Sequence, residues 1–246
     1  MKRVLITGAS SGIGTEVAFA AAADGWYTFL GYKTGSSRAE AQVSLIEKAG
    51  GKAQSVSLPL DSVDDVSASI LSIKGLDQLD ALVLCASPKP VLASFLKTDP
   101  LALTDQFKVN VLGNHRLMVE VWKRYFRNNK VSQVIAISSL AAASPPWPHM
   151  TSYVFGKRAL QSLLESALSE FGASGLSATL ISPDYTETPM LMNVEPHVLE
   201  LARSQRRDGA FLQPKVVAQE VLNSLNAFPK PGVLEMKSIS LSRHPL

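Results

Sequence analysis

With 246 residues, 46% of them apolar and 18% charged, the chain has enough apolar material for a continuous core and too little charge for a disordered one. Its net charge of +3 is not gathered into basic runs, so a nucleic-acid partner is not expected. One cysteine, Cys85, excludes an internal disulfide framework and fits a reducing compartment. The apolar runs at 4–6 and 17–23 are too short for an export signal or a bilayer span, so a cytoplasmic protein with no membrane partner is expected.

Short apolar runs alternate with longer stretches of helical period, the pattern of a parallel sheet covered on both faces. Residues 3–7 read as a first strand, followed by an alanine-rich helix over 12–24 that Gly25 stops. A second strand (27–32), a helix (37–49), a third strand (54–60) and a short helix after Asp64 follow. A fourth strand is expected at 81–85. Phe107, Val111, Met118, Trp122 and Phe126 recur at helical spacing and predict one long helix over about 103–128. A strand (131–137), a helix (152–171), a strand (176–181) and a last strand (232–241) complete the order. Without a repeat or a Gly/Pro/Ser-rich linker, 1–246 reads as a single α/β domain. It is a doubly wound parallel sheet of about seven strands with helices on both faces. Ligands of such sheets bind beyond the carboxyl ends of the strands.

The turn Thr7-Gly8-Ala9-Ser10-Ser11-Gly12-Ile13-Gly14 lies between the first strand and the first helix. Glycines there let the backbone approach a pyrophosphate, and the helix N-terminus offers free N–H groups. Gly8-Ala9-Ser10-Ser11-Gly12 also matches a hydrolase elbow with Ser10 as nucleophile. That elbow follows several strands, however, and here only one precedes it, with no later Asp and His pair standing out. Further on, Tyr153-Val154-Phe155-Gly156-Lys157 puts a phenol and an ammonium on one helix face, where the lysine can lower the phenol pKa and ready it for proton transfer. Ser139 ends a strand, where its hydroxyl can bind a substrate oxygen.

In this order and on these elements, the glycine turn, Ser139, Tyr153 and Lys157 resemble the short-chain dehydrogenase/reductase family, nearest in pattern to its 3-oxoacyl-carrier-protein reductases, over about residues 3–190. The resemblance implies a Rossmann fold and an NAD(P)-dependent oxidoreductase acting on CH–OH/C=O groups. It makes Tyr153 the catalytic acid/base, Lys157 the residue that holds the nicotinamide ribose, and Ser139 the substrate-orienting serine, with Ser138 its neighbouring alternative. Asn110 matches the helix asparagine that supports a proton-relay water. Its cofactor contacts would be Gly8, Ser10, Ser11, Gly12, Ile13 and Gly14 in the turn, with Tyr32, Lys33 and Thr34 after the second strand. Asp61 and Ser62 would follow at the adenine, Cys85, Ala86 and Ser87 after the fourth strand, and Pro183, Thr186 and Thr188 at the nicotinamide. No metal is implied.

Three places depart from the family pattern. Leu84-Cys85-Ala86-Ser87 stands where Asn-Asn-Ala-Gly is usual, Asp184 stands where glycine is usual, and the interval from Ser139 to Tyr153 is about one residue longer. No acidic residue follows the second strand to receive a ribose 2′-hydroxyl. Lys33, with Arg38 nearby, suits a 2′-phosphate, so NADP(H) is expected over NAD(H). The segment 188–213 is expected to cover the site as a lid. Met190, Leu191, Met192, Val194, Leu199, Leu201, Phe211 and Leu212 give it an apolar side and Arg203, Arg206 and Arg207 a basic one, readable as a carrier-docking face or as a solvated helix face. The expected partners are a small carbonyl or alcohol substrate, free or carrier-bound, and further copies of the chain as a homodimer or homotetramer. A non-catalytic, cofactor-sensing binding protein is the alternative reading.

Overall fold

A computed structural model of the chain describes residues 1–191, 194–206 and 209–241. Its strands are β1 (Arg3–Thr7), β2 (Tyr27–Tyr32), β3 (Lys52–Ser57), β4 (Ala81–Leu84), β5 (Ser132–Ile137), β6 (Leu176–Pro183) and β7 (Leu234–Ile239). They form one seven-stranded sheet in the order β3-β2-β1-β4-β5-β6-β7, with every pairing parallel. The helices are α1 (Gly12–Ala23), α2 (Ser36–Lys48), α3 (Val63–Ser72), α4 (Pro100–Phe107), α5 (Asn114–Arg124), α6 (Thr151–Phe171), α7 (Pro196–Ser204) and α8 (Pro214–Asn226). Among the described residues no helix is long and apolar enough to cross a membrane.

The continuous apolar strands supply both faces because successive side chains point to opposite sides. Leu5, Leu82, Leu84, Val134 and Ala136 pack with Val66 and Ile70 of α3, Leu117 and Val121 of α5, and Leu160 and Leu164 of α6. Their neighbours Val4, Ile6, Val83, Ile135 and Ile137 pack with Val17, Ala18 and Ala21 of α1, Ile46 of α2, and Val217, Val221 and Leu225 of α8. Because β1 lies between β2 and β4, the chain leaves it in opposite directions on its two sides. That switch opens a crevice beyond the strand ends.

Two expected elements take a different form, and α8 (Pro214–Asn226) answers to no expected element. The strand expected over 54–60 is β3, two residues earlier. Leu58 still donates its N–H to the Tyr32 carbonyl (2.6 Å), but Pro59 has no N–H with which to continue the ladder. The single helix expected over 103–128 is α4, a widened π turn at Lys108–Gly113, α5 and a 3-10 turn at Phe126–Asn128. The widening falls where Gly113 backs onto the Leu60 carbonyl with no room for a Cβ, and where buried Asn110 bonds to Gln106.

Candidate active site

A cleft of about 490 Å³ lies at the switch point, lined at one end by the glycine turn and at the other by Ser139, Tyr153 and Lys157. Gly8 and Gly12 hold left-handed backbone, with φ of +66° and +58°. A Cβ on Gly8 would meet Ala86 Cα at 2.9 Å, and one on Gly14 would meet the Gly8 carbonyl oxygen at 2.5 Å. Ser11 sits at the N-cap of α1 but its side chain caps nothing, so the first-turn N–H groups of α1 receive no side-chain cap. This is a cradle for an anion held by backbone, and it fits a dinucleotide pyrophosphate. Where the family pattern has asparagine, Thr7 does the tying: its Oγ1 accepts from the N–H groups of Cys85 and Ala86, both at 3.0 Å.

Ser10, Ser11, Gly12, Ile13, Gly14, Lys33, Thr34, Asp61, Cys85, Ala86 and Ser87 all line the cleft. Lys33 Nζ, however, lies 2.8 Å from Asp61 Oδ2, and this ammonium holds the carboxyl below its ordinary range. The cation expected for a phosphate and the carboxylate expected for an adenine are thus one pair. Tyr32 and Ser62 do not line the cleft. Tyr32 is in register with Ser57 of β3, and Ser62 caps α3, accepting from the Asp65 N–H at 3.4 Å. The Cys85 thiol is pushed up to about 12 by burial, so it stays protonated at neutral pH.

At the other end Tyr153 is buried, and it lines the cleft together with Ser139. Ser139 Oγ accepts from the Ala141 N–H at 3.2 Å. Lys157, fully enclosed, donates from Nζ to the Ile137 carbonyl at 2.9 Å and lies 5.7 Å from the Tyr153 ring centroid. The expectation that Lys157 lowers the phenol is reversed here. Burial pushes Tyr153 up to about 12, opposed by the neighbouring Ser139 side chain, and burial pulls Lys157 down to about 8.

Asn110 is fully buried and stands one layer behind the cleft. Its Nδ2 donates to Gln106 Oε1 at 2.7 Å and to Ser87 Oγ at 3.3 Å. Gln106 in turn donates to the carbonyls of Pro88 (3.2 Å) and Lys89 (3.3 Å). Sequence reading missed Gln106; its signal was a second amide one turn before Asn110. Gly156 lets α6 approach this pair, since a Cβ there would lie 2.8 Å from Gln106 Oε1 and 2.9 Å from Asn110 Nδ2.

Pro183 at the end of β6, and Thr186 and Thr188 beyond it, line the cleft, and the Thr188 methyl lies 3.3 Å from where a Cβ on Gly12 would stand. Asp184 is buried in an ion pair with Arg206 and accepts from the Tyr185 N–H at 2.7 Å and the Ser240 hydroxyl at 3.2 Å. Arg206 is therefore not a surface cation. Arg203 pairs with Glu187 at 3.6 Å, donates to the Gly209 carbonyl at 3.1 Å and lies 4.2 Å over the Phe211 ring. Arg207 and Met192 lie outside the described residues. Of the apolar residues in the segment expected as a lid, Met190, Leu191 and Val194 line the cleft, and Phe211 and Leu212 are buried. The lone sequence cue to the Asp184–Arg206 pair was an aspartate in a glycine's place; its partner, 22 residues on, had no local mark.

A family model described as short chain dehydrogenase matches residues 2–199. A 3beta-hydroxysteroid dehydrogenase of Mediterraneibacter gnavus is 24% identical over 237 residues, covering 93% of this chain and 84% of that protein. A crystal structure of a dehydrogenase/reductase from Sinorhizobium meliloti superposes with a TM-score of 0.84 at 26% identity, over 96% of this chain and 93% of that one. That of a 3-oxoacyl (acyl-carrier-protein) reductase from Agrobacterium tumefaciens with NADP bound gives a TM-score of 0.82 at 21% identity, over the same 96% and 93%. The chain thus belongs to the short-chain dehydrogenase family and is an NAD(P)-dependent oxidoreductase.

Proposed function

We propose that the protein is an NADP(H)-dependent reductase of a free apolar ketone, with Tyr153, Ser139 and Lys157 as its catalytic residues. The observation that carries this reading is the buried Tyr153–Ser139 pair at the end of a cleft whose other end is a backbone anion cradle. When bound, the dinucleotide supplies the hydride to the carbonyl carbon. Gly8, Ser10, Ser11, Gly12, Ile13 and Gly14 would hold its pyrophosphate, and Pro183, Thr186 and Thr188 its nicotinamide end. The phenol keeps its proton at neutral pH and so can donate it to the carbonyl oxygen as hydride reaches the carbon. Ser139 directs that oxygen toward the phenol. Below about 8 Lys157 is a cation beside the ring, able to hold a ribose hydroxyl and to offset charge left on Tyr153. Asn110 supports the segment 87–89 from behind.

Lys33, with no acidic residue at the end of β2, supports NADP(H), and the NADP bound to the Agrobacterium protein is in keeping with it. The burial of Arg206 against Asp184 takes one cation out of the face read as a carrier dock, which supports a free ketone. A second copy would cover the α4–α6 face, where Phe95, Leu101, Phe107 and Phe155 are exposed and the Phe107 and Phe155 centroids lie 6.3 Å apart. The test is a fluorescence titration with NADPH and NADH, followed by NADPH consumption over a panel of free ketones and β-keto thioesters. Tighter NADPH binding with turnover of free ketones supports the reading. Turnover confined to carrier-bound thioesters overturns the free-ketone part, and binding without any turnover favours a cofactor sensor.

A further inference from the structure

The Asp184–Arg206 pair is more deeply enclosed than an ordinary lid contact: the side chains are 3% and 6% exposed. Burying two charges is costly unless their remaining hydrogen-bonding capacity is met by neighbours, and breaking such a pair is costlier still. Here the neighbours come from separate parts of the chain. Asp184 closes β6, its backbone N–H donates to the Ile239 carbonyl of β7 at 2.8 Å, and its carboxylate takes the Ser240 hydroxyl. Arg206 follows α7 and donates to the Ala202 carbonyl. Its guanidinium lies 4.6 Å from the Tyr185 ring centroid and 5.5 Å from that of Phe211.

Tyr185 is held on two further sides. Its ring stacks on Trp147 with centroids 4.9 Å apart and on Phe211 at 5.3 Å, and both interplanar angles are close to 20°, at 23° and 22°. Its backbone carbonyl accepts from the Leu212 N–H at 2.9 Å. Phe211 is the buried backing of this column. Trp147 and Tyr185 line the same cleft as Tyr153 and Ser139, together with Pro90, Leu92 and Met190.

We propose that Arg206, through Asp184, is a positioning residue that fixes Tyr185 and Trp147 as a rigid aromatic wall of the carbonyl pocket, and that this wall selects ketones borne on a flat apolar ring over open-chain ketones. The proposal rests on the ketone-reductase reading of the site. With Tyr185 stacked between Trp147 and Phe211, the column holds the Trp147 ring in place at no further ordering cost, and a flat ring substrate stacks against it without losing rotamers of its own. An open chain must freeze several torsions to cover the same area.

The test compares 2-tetralone with 2-octanone under saturating NADPH, in the unmodified protein and in Tyr185→Leu, Arg206→Met and Arg206→Lys. The unmodified protein is expected to favour 2-tetralone by about tenfold in kcat/KM. Tyr185→Leu and Arg206→Met each raise the 2-tetralone KM by about tenfold more than the 2-octanone KM, so that the ring preference is lost. Arg206→Lys, which keeps the charge but not the planar stack, falls between. No ring preference in the unmodified protein, or variants that lose both ketones in proportion, would overturn the proposal and leave the reductase reading intact. If Arg206→Met does not fold, Tyr185→Leu carries the comparison, with saturation-transfer NMR of 2-tetralone on the protein as a readout independent of turnover. Failure of every ketone to consume NADPH strikes the reductase reading itself; 2-tetralone contacts in that NMR experiment that survive Tyr185→Leu strike the wall.

Discussion

At the β1–α1 end of the cleft the working surface is backbone: two left-handed glycines, a third packed on the Gly8 carbonyl, and the N–H groups of the first turn of α1. At the β6–α7 end it is side chains, three stacked rings and a buried ion pair drawn from segments far apart in sequence. A cradle of backbone atoms serves any dinucleotide, because phosphates are alike and need only N–H groups and room. A wall of side chains can be changed residue by residue, so it is the end at which one fold acquires its own substrate. Ser139, Tyr153 and Lys157 share this second end, opposite the cradle.

Substitutions that disable one end alone test this division. The largest effect is expected from Tyr153→Phe, which removes the hydroxyl proposed as proton donor and leaves the cradle. Turnover should fall by roughly a thousandfold while the NADPH Kd stays within about twofold. A comparable loss of NADPH binding would mean that the two ends are not separable. Lys33→Glu does the reverse. By placing a carboxylate where the 2′-phosphate is expected and leaving Asp61 without its cation, it should shift the NADPH-to-NADH preference by about a hundredfold toward NADH, with kcat on bound cofactor unchanged. An unaltered ratio in paired titrations would remove Lys33 from cofactor choice.

A smaller effect sharpens the carbonyl end from behind. Gln106→Leu strips a partner from the Asn110 amide and from the Pro88 and Lys89 carbonyls, and is expected to cost about 2 kcal/mol in urea unfolding and to loosen segment 87–89. A variant as stable as the parent would show that these bonds are replaceable. The smallest effect concerns Lys157, held in its buried place at the expense of stability. The native lysine loses its proton near 8 and the unfolded one near 10.5, so between those values the unfolded chain binds more protons and stability rises with pH. Lys157→Met should remove that rise and raise stability at neutral pH by about 1–2 kcal/mol, the Ile137 carbonyl losing a partner in exchange. Tyr153 acts with the opposite sign: the native phenol holds its proton to about 12 against 10.0 in the unfolded chain, so stability falls again above 10.0. A flat profile from 8 to 10.5 would contradict the burial argument for Lys157.

The same division explains what could be read from the sequence. The succession of strands and helices along the chain, the glycine turn and the Tyr153–Lys157 spacing are local patterns, legible because period and spacing encode them. The π turn was hidden, because Phe107, Val111 and Met118 keep a helical period through it while its cause lies in Leu60 and Gln106. The lowered phenol pKa expected from an i,i+4 lysine gave way to burial, which no spacing reveals. Likewise Arg206 reads as one cation of a basic helix face until the fold brings it to Asp184. Long-range pairs between a departure from a pattern and an unremarkable residue are where sequence reading stops.

The most direct test of the central claim is a single-turnover experiment, in which the protein loaded with NADPH is mixed with excess ketone and NADPH absorbance and alcohol product are followed together. The expected result is one alcohol formed per NADPH consumed, with the step slowed by roughly a thousandfold in Tyr153→Phe. NADPH that binds but is not consumed in the unmodified protein, or is consumed equally fast without the Tyr153 hydroxyl, would contradict it.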